Sequence, residues 1–100
     1  NSREVILKCT QAIQDHFNID KWSINQPINL STVYTLLDRV KGVQTVQDVR
    51  IESKVNGNYS VYDYDIKGAT MNNVIYPSLD PMIFEVKYPN NDIQGRVTTL

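Results

Sequence analysis

The sequence predicts an α+β domain: two helices packed on a small antiparallel sheet with a β-hairpin and an extended C-terminal arm. Three observations predict it. Apolar residues recur at helical spacing in two stretches before Gly42, they then alternate at strand spacing, and Asn56-Gly57 joins two alternating stretches. At 100 residues the chain is one domain by size, read as an α+β core over 1–75 and a C-terminal strand or arm over 76–100. Hydrophobic residues at 41% and charged residues at 21% are globular values that exclude a disordered chain. A formal net charge of −1 supplies no bulk attraction to nucleic acid or an anionic membrane. The lone Cys9 excludes an intrachain disulfide. There is neither an apolar run of about 18 residues, as a membrane span needs, nor a signal-peptide pattern. The chain begins at Asn1 and reads as an excerpt of a longer one.

Ser2 to Phe17 is the first predicted helix. Ser2 is the expected N-cap and Glu4 favours the positive end of the helix dipole. Val5, Cys9, Ala12 and His16, beside Ile6, Ile13 and Phe17, form one apolar stripe. Lys21 to Leu30 is expected to be extended, because Pro27 disfavours helix at Gln26. Within it Trp22 and Ile24 alternate, and Trp22 is the expected buried anchor with its indole N–H hydrogen-bonded. The second helix is expected over Ser31 to Lys41, capped by Ser31, with Val33, Leu36, Leu37 and Val40 on one face. Gly42 follows as the left-handed stop and Val43 as the apolar residue that folds back beneath it.

Val43 to Val55 reads as a half-buried strand, with Val49, Ile51 and Val55 opposite Asp48, Arg50, Glu52 and Lys54. Asn56-Gly57 is the strongest short hairpin signal, since a type I′ turn needs φ > 0 twice. The return strand, Asn58 to Ile66, places Tyr62, Tyr64 and Ile66 on one face and Tyr59, Val61, Asp63 and Asp65 on the other. Beyond Pro77, a strand with Met82, Phe84, Val86 and Tyr88 on one face is bounded by Pro81 and Pro89, which suits an edge strand or an arm. This tail is the piece expected to leave the core and contact something else.

Candidate chemistry is sparse. His16 has no second histidine at ligand spacing, and metal sites need three or four convergent ligands. Cys9 and His16 lie two helical turns apart, roughly 10 Å by helix rise, too far for a nucleophile and its base. Asp63 and Asp65 share a strand face and suit acid–base work, a hard cation, or a solvated surface opposite Arg50 or Lys54 across the hairpin. The six tyrosines suit sheet packing first, a protein interface second and nucleic acid last. No EF-hand, P-loop, GxGxxG, GxSxG or HExxH pattern is present.

Trp22, Gln26-Pro27-Ile28, Leu30-Ser31, Val33-Tyr34, Leu36-Leu37, Val40, Gly42-Val43, Val46, Val49 and Ile51 stand in the order of a tryptophan, a proline loop and "LSxVYxLLxxVxGVxxVxxVxI". This stretch resembles the C-terminal region of baseplate proteins from contractile phage tails, the baseplate J group. Asn25-Gln26 stands where that pattern usually has a glycine. Val74 to Val97, VIYPSLDPMIFEVKYPNNDIQGRV, is similar to the end of baseplate wedge subunits of T-even-like myoviruses. The resemblance implies a non-enzymatic structural domain without cofactor, metal or catalytic residues. Its implied partners are other copies of itself and other baseplate subunits, with no nucleic acid, membrane or small-molecule substrate. Its implied place is the virion, in a baseplate assembled in the host cytoplasm. The implied contact segment offers Tyr76, Pro77, Ile83, Phe84, Tyr88 and Pro89, and an exposed hairpin edge would add strand pairing. Trp22, Ser31, Gly42, Asn56 and Gly57 are the structural positions. Two other readings are a peptide- or carbohydrate-binding module of a larger tail or secreted protein, and a small hydrolase on Asp63 and Asp65.

Overall fold

Helix α1 (Ser2–His16) forms along the amphipathic stripe, but its cap is Asn1, whose side chain accepts from the Arg3 N–H at 3.0 Å. The expected cap, Ser2, is instead the first helical residue. The computed structural model describes residues 1–60, 62–78, 80 and 82–97. Val61, Pro81 and the arm residues 98–100, assigned above to strands and arm, lie outside the described residues. The Phe17 N–H closes α1 on the Ile13 carbonyl, and Asn18 caps a single 3-10 turn, Ile19–Lys21. The stripe of α1 is only half-buried along its length.

The chain then makes strand β1 (Ile28–Asn29) and helix α2 (Leu30–Asp38). The cap of α2 is Asn29, not Ser31: the Asn29 carboxamide accepts from the Ser31 N–H at 3.0 Å. A side chain one residue upstream of the helix reaches the first free amides, whereas Ser31 is already inside the first turn. The helix ends at Asp38, short of Lys41, because the Val40 N–H tightens onto Leu37. Gly42 follows with φ +100, and a Cβ there would lie 2.6 Å from Val5 Cγ2 of α1. That glycine therefore serves both the turn and the close approach of α1. Val33 and Leu37 are buried, with Leu36 and Val40 half-buried, as their spacing predicts.

Among the described residues one sheet forms, with β2 (Thr70–Met71) and β3 (Val74–Ile75) in the order β1-β3-β2. It is antiparallel, pairing Ile75 with Ile28 and Thr70, and Val74 with Asn29 and Met71. The hairpin turn is Asn72-Asn73, with φ 52 and 65, the two left-handed residues of a type I′ connection. Asn56-Gly57 also turns, with φ 73 and 59, and the Asn56 N–H and carbonyl bond Ser60 and Tyr59. Its arms build no ladder among the described residues. They meet at a Val55–Ser60 bridge and at Ser53 Oγ, which accepts from the Tyr64 N–H. The described residues of the expected strands over 43–55 and 58–66 thus form no named strand, and Tyr62 is exposed whereas Tyr64 and Ile66, expected on the same face, are half-buried. The Asn72-Asn73 hairpin places Ile75, 1% exposed, in the core.

That core is Trp22, Ile28 and Ile75, ringed by Phe17, Leu30, Ile51, Ile66, Ala69 and Phe84. Trp22 is the buried anchor, but its indole N–H has no hydrogen-bond partner among the described residues. Edge-to-face contact with His16 at 5.6 Å and a tilted stack on Phe17 at 5.1 Å surround the ring instead. Apolar packing outweighs one unpaired donor here, because the ring buries far more surface than the N–H withholds.

Candidate functional site

Residues 82–92 run back along the domain instead of leaving it. Asn25 and Met82 exchange two hydrogen bonds: the Asn25 N–H donates to the Met82 carbonyl at 2.7 Å, and the Met82 N–H donates to Asn25 Oδ1 at 3.1 Å. Asn25 holds φ +63, the left-handed conformation that asparagine tolerates better than most side chains. Phe84 packs on the Trp22–Ile28–Ile75 cluster and meets Tyr64 edge-to-face at 5.7 Å. The chain then enters the short helix α3 (Pro89–Asp92) with Pro89 at its first position.

Asp92 ties this end down. Its Oδ1 accepts from Lys54 Nζ at 3.0 Å and from the Tyr59 hydroxyl at 2.8 Å, and its Oδ2 accepts from the Tyr88 N–H at 3.1 Å. The Lys54 hydrogen bond is the largest influence holding the Asp92 carboxyl below its ordinary range, with Tyr59 and Tyr88 adding to it. The same bonds push the Lys54 ammonium and the Tyr59 hydroxyl upward. Tyr88 stacks edge-to-face on Tyr59 at 5.4 Å, and Gln14 of α1 donates to the Pro89 carbonyl and to Asn90.

The expected contact residues therefore divide. Phe84 and Tyr88, both half-buried, pack on the domain and anchor the segment to it. Pro77 is half-buried and Pro89 exposed at the start of α3. Tyr76 and Ile83 face solvent, 50% and 39% exposed. Sequence reasoning does not single out Met71, 66% exposed, whose register opposite Val74 puts it on the same outer sheet face as Tyr76. Nor does it single out Ile24, exposed beside the Asn25–Met82 pair; its alternation with Trp22 ends at the left-handed Asn25. Strand addition finds little edge: strands β1 and β2 are two residues each, and Pro27 precedes β1.

Two shallow depressions lie on the surface of the described residues. One, of about 530 Å³, lies between α1, α2 and the 3-10 turn, with Asp15, His16, Lys21, Trp22 and Gln26 on its walls. The other, about 630 Å³, holds Asp63 and Asp65 with Arg50, Glu52 and Lys67. Both aspartates are exposed, and Asp65 Oδ1 accepts from the Gly68 N–H, so they are spent on solvent and a turn. Burial pushes the Cys9 thiol up, away from the reactive thiolate, and pushes the His16 imidazole down. No cluster of three His, Cys, Asp or Glu side chains that could hold a metal occurs among the described residues. The site is a half-apolar surface on a small α+β domain. Compared with protein-family models, curated proteins and solved structures, the chain matches none.

Proposed function

We propose that this chain is an assembly domain of a phage tail baseplate wedge subunit, working by contact with other copies of itself and with other baseplate subunits. The observation that carries the reading is the division of the C-terminal segment. Phe84, Tyr88 and Asp92 hold it against the domain, which leaves Tyr76 and Ile83, beside Met71 and Ile24, presented to solvent. Large apolar side chains on a fixed backbone cost little ordering entropy on association, which suits an interface. Asn25, which stands where the pattern usually has a glycine, holds φ 63, a conformation glycine adopts freely.

Light scattering over a concentration series tests this, with the full chain and a Tyr76→Ser/Ile83→Ser variant. On this reading the wild-type mass climbs toward a dimer and the variant stays monomeric while keeping its circular dichroism. A wild-type chain that remains monomeric throughout removes self-association and advances the peptide- or carbohydrate-binding module.

A further inference from the structure

We propose that Asn56 is a self-modifying site, at which the backbone nitrogen of Gly57 attacks the Asn56 side-chain amide and closes a succinimide. Gly57 is the residue that makes this possible. It presents no Cβ to the incoming carbonyl, and the position a Cβ would take has nothing within 4 Å. Both residues are exposed at the tip of the 56–59 turn. The other asparagine side chains that the fold uses are engaged: Asn1, Asn18 and Asn29 cap helical turns, Asn25 holds Met82, and Asn90 accepts from Gln14. Asn72, the first residue of the tighter hairpin, is followed by Asn73, whose Cβ crowds the same approach.

The step balances without an oxidant or cofactor. Base removes the Gly57 amide proton, the nitrogen bonds to Asn56 Cγ, and the Cγ–Nδ2 bond breaks as the protonated base returns that proton to Nδ2, releasing ammonia. Water then opens the ring at either carbonyl and leaves an aspartyl or an isoaspartyl linkage. The aspartyl product keeps an ordinary backbone, and aspartate tolerates the left-handed conformation at this position. The isoaspartyl product inserts a methylene into the main chain at the residue whose N–H and carbonyl both hold the turn. Tyr59, bonded to that carbonyl, also holds Asp92, so this product loosens the C-terminal segment.

The test incubates the folded full chain at mildly alkaline pH beside a sample in urea. Ammonia loss is followed by intact mass, peptide mapping and labelling with isoaspartyl methyltransferase, with Asn56→Gln as the control. The expected result is first loss at Asn56 in the folded and the urea sample alike, and no loss there in the variant. First loss at Asn72, Asn73 or Asn91 overturns the proposal. So does loss at Asn56 in urea with none in the folded chain, which would show that the turn protects it.

Discussion

Asn25 and Met82, 57 positions apart, hold each other by one backbone bond and one side-chain bond, 2.7 and 3.1 Å long. The left-handed backbone of Asn25 aims both groups at the same partner residue. Two requirements therefore meet at one side chain. Asn25→Gly keeps the conformation and loses the carboxamide, at about 0.5–1.5 kcal/mol. Asn25→Val loses the carboxamide and adds a φ penalty of roughly 1–2 kcal/mol. Urea titration should rank wild type, glycine and valine in that order, with unchanged slopes.

Gly42 separates conformational from steric cost in the same way. Gly42→Ala meets both φ +100 and Val5 Cγ2 at 2.6 Å. We expect it to destabilise by about 2–4 kcal/mol, the left-handed penalty plus overpacking. Adding Val5→Ala should recover the steric share alone, and a double-mutant cycle measures that recovery as a favourable coupling.

The Lys54–Asp92–Tyr59 cluster should make a constant contribution to stability through neutral pH. The Asp92 carboxyl is held below its ordinary 3.8, so its contribution is present above that value and lost as pH falls through the depressed folded pKa. The Lys54 ammonium is held above 10.5, so its contribution is present below that value and lost as pH rises through the raised one. Asp92→Asn should weaken both limbs together. Thermal melts from acid to alkaline pH in wild type and variant check it.

His16 and Trp22 are the single histidine and the single tryptophan, and their rings meet edge-to-face. Burial lowers the His16 pKa below 6.5, so the unfolded chain binds its proton more readily and stability falls as pH drops beneath that value. Trp22 fluorescence should titrate with a midpoint under 6.5, and the transition should vanish in His16→Gln.

The unpaired indole N–H makes Trp22→Phe informative. Removing the ring altogether in Trp22→Ala should cost about 3–5 kcal/mol as a core cavity. Phenylalanine leaves a smaller void and removes a donor whose burial costs about 1–3 kcal/mol. The expected Trp22→Phe loss is therefore well under half that of alanine, read by circular dichroism melts.

What the sequence determined by itself is local. The apolar periods of both helices, the left-handed backbone at Gly42 and the half-burial of Val49, Ile51 and Val55 all reappear in the structure, because each depends on backbone sterics and neighbours within a turn or two, but the second helix stops at Asp38, before that glycine is reached. The caps moved by one or two residues, from Ser2 to Asn1 and from Ser31 to Asn29, since asparagine and serine compete on nearly equal terms. Only the tertiary structure decided which turn became a hairpin. Asn56-Gly57 and Asn72-Asn73 can both supply two left-handed residues, and the choice fell where a flanking strand could bury Ile75 against Ile28 and Trp22. It also decided that the C-terminal segment docks. Lys54 and Asp92 are 38 positions apart, and no spacing rule announces a bond whose partners meet only after the core between them has formed.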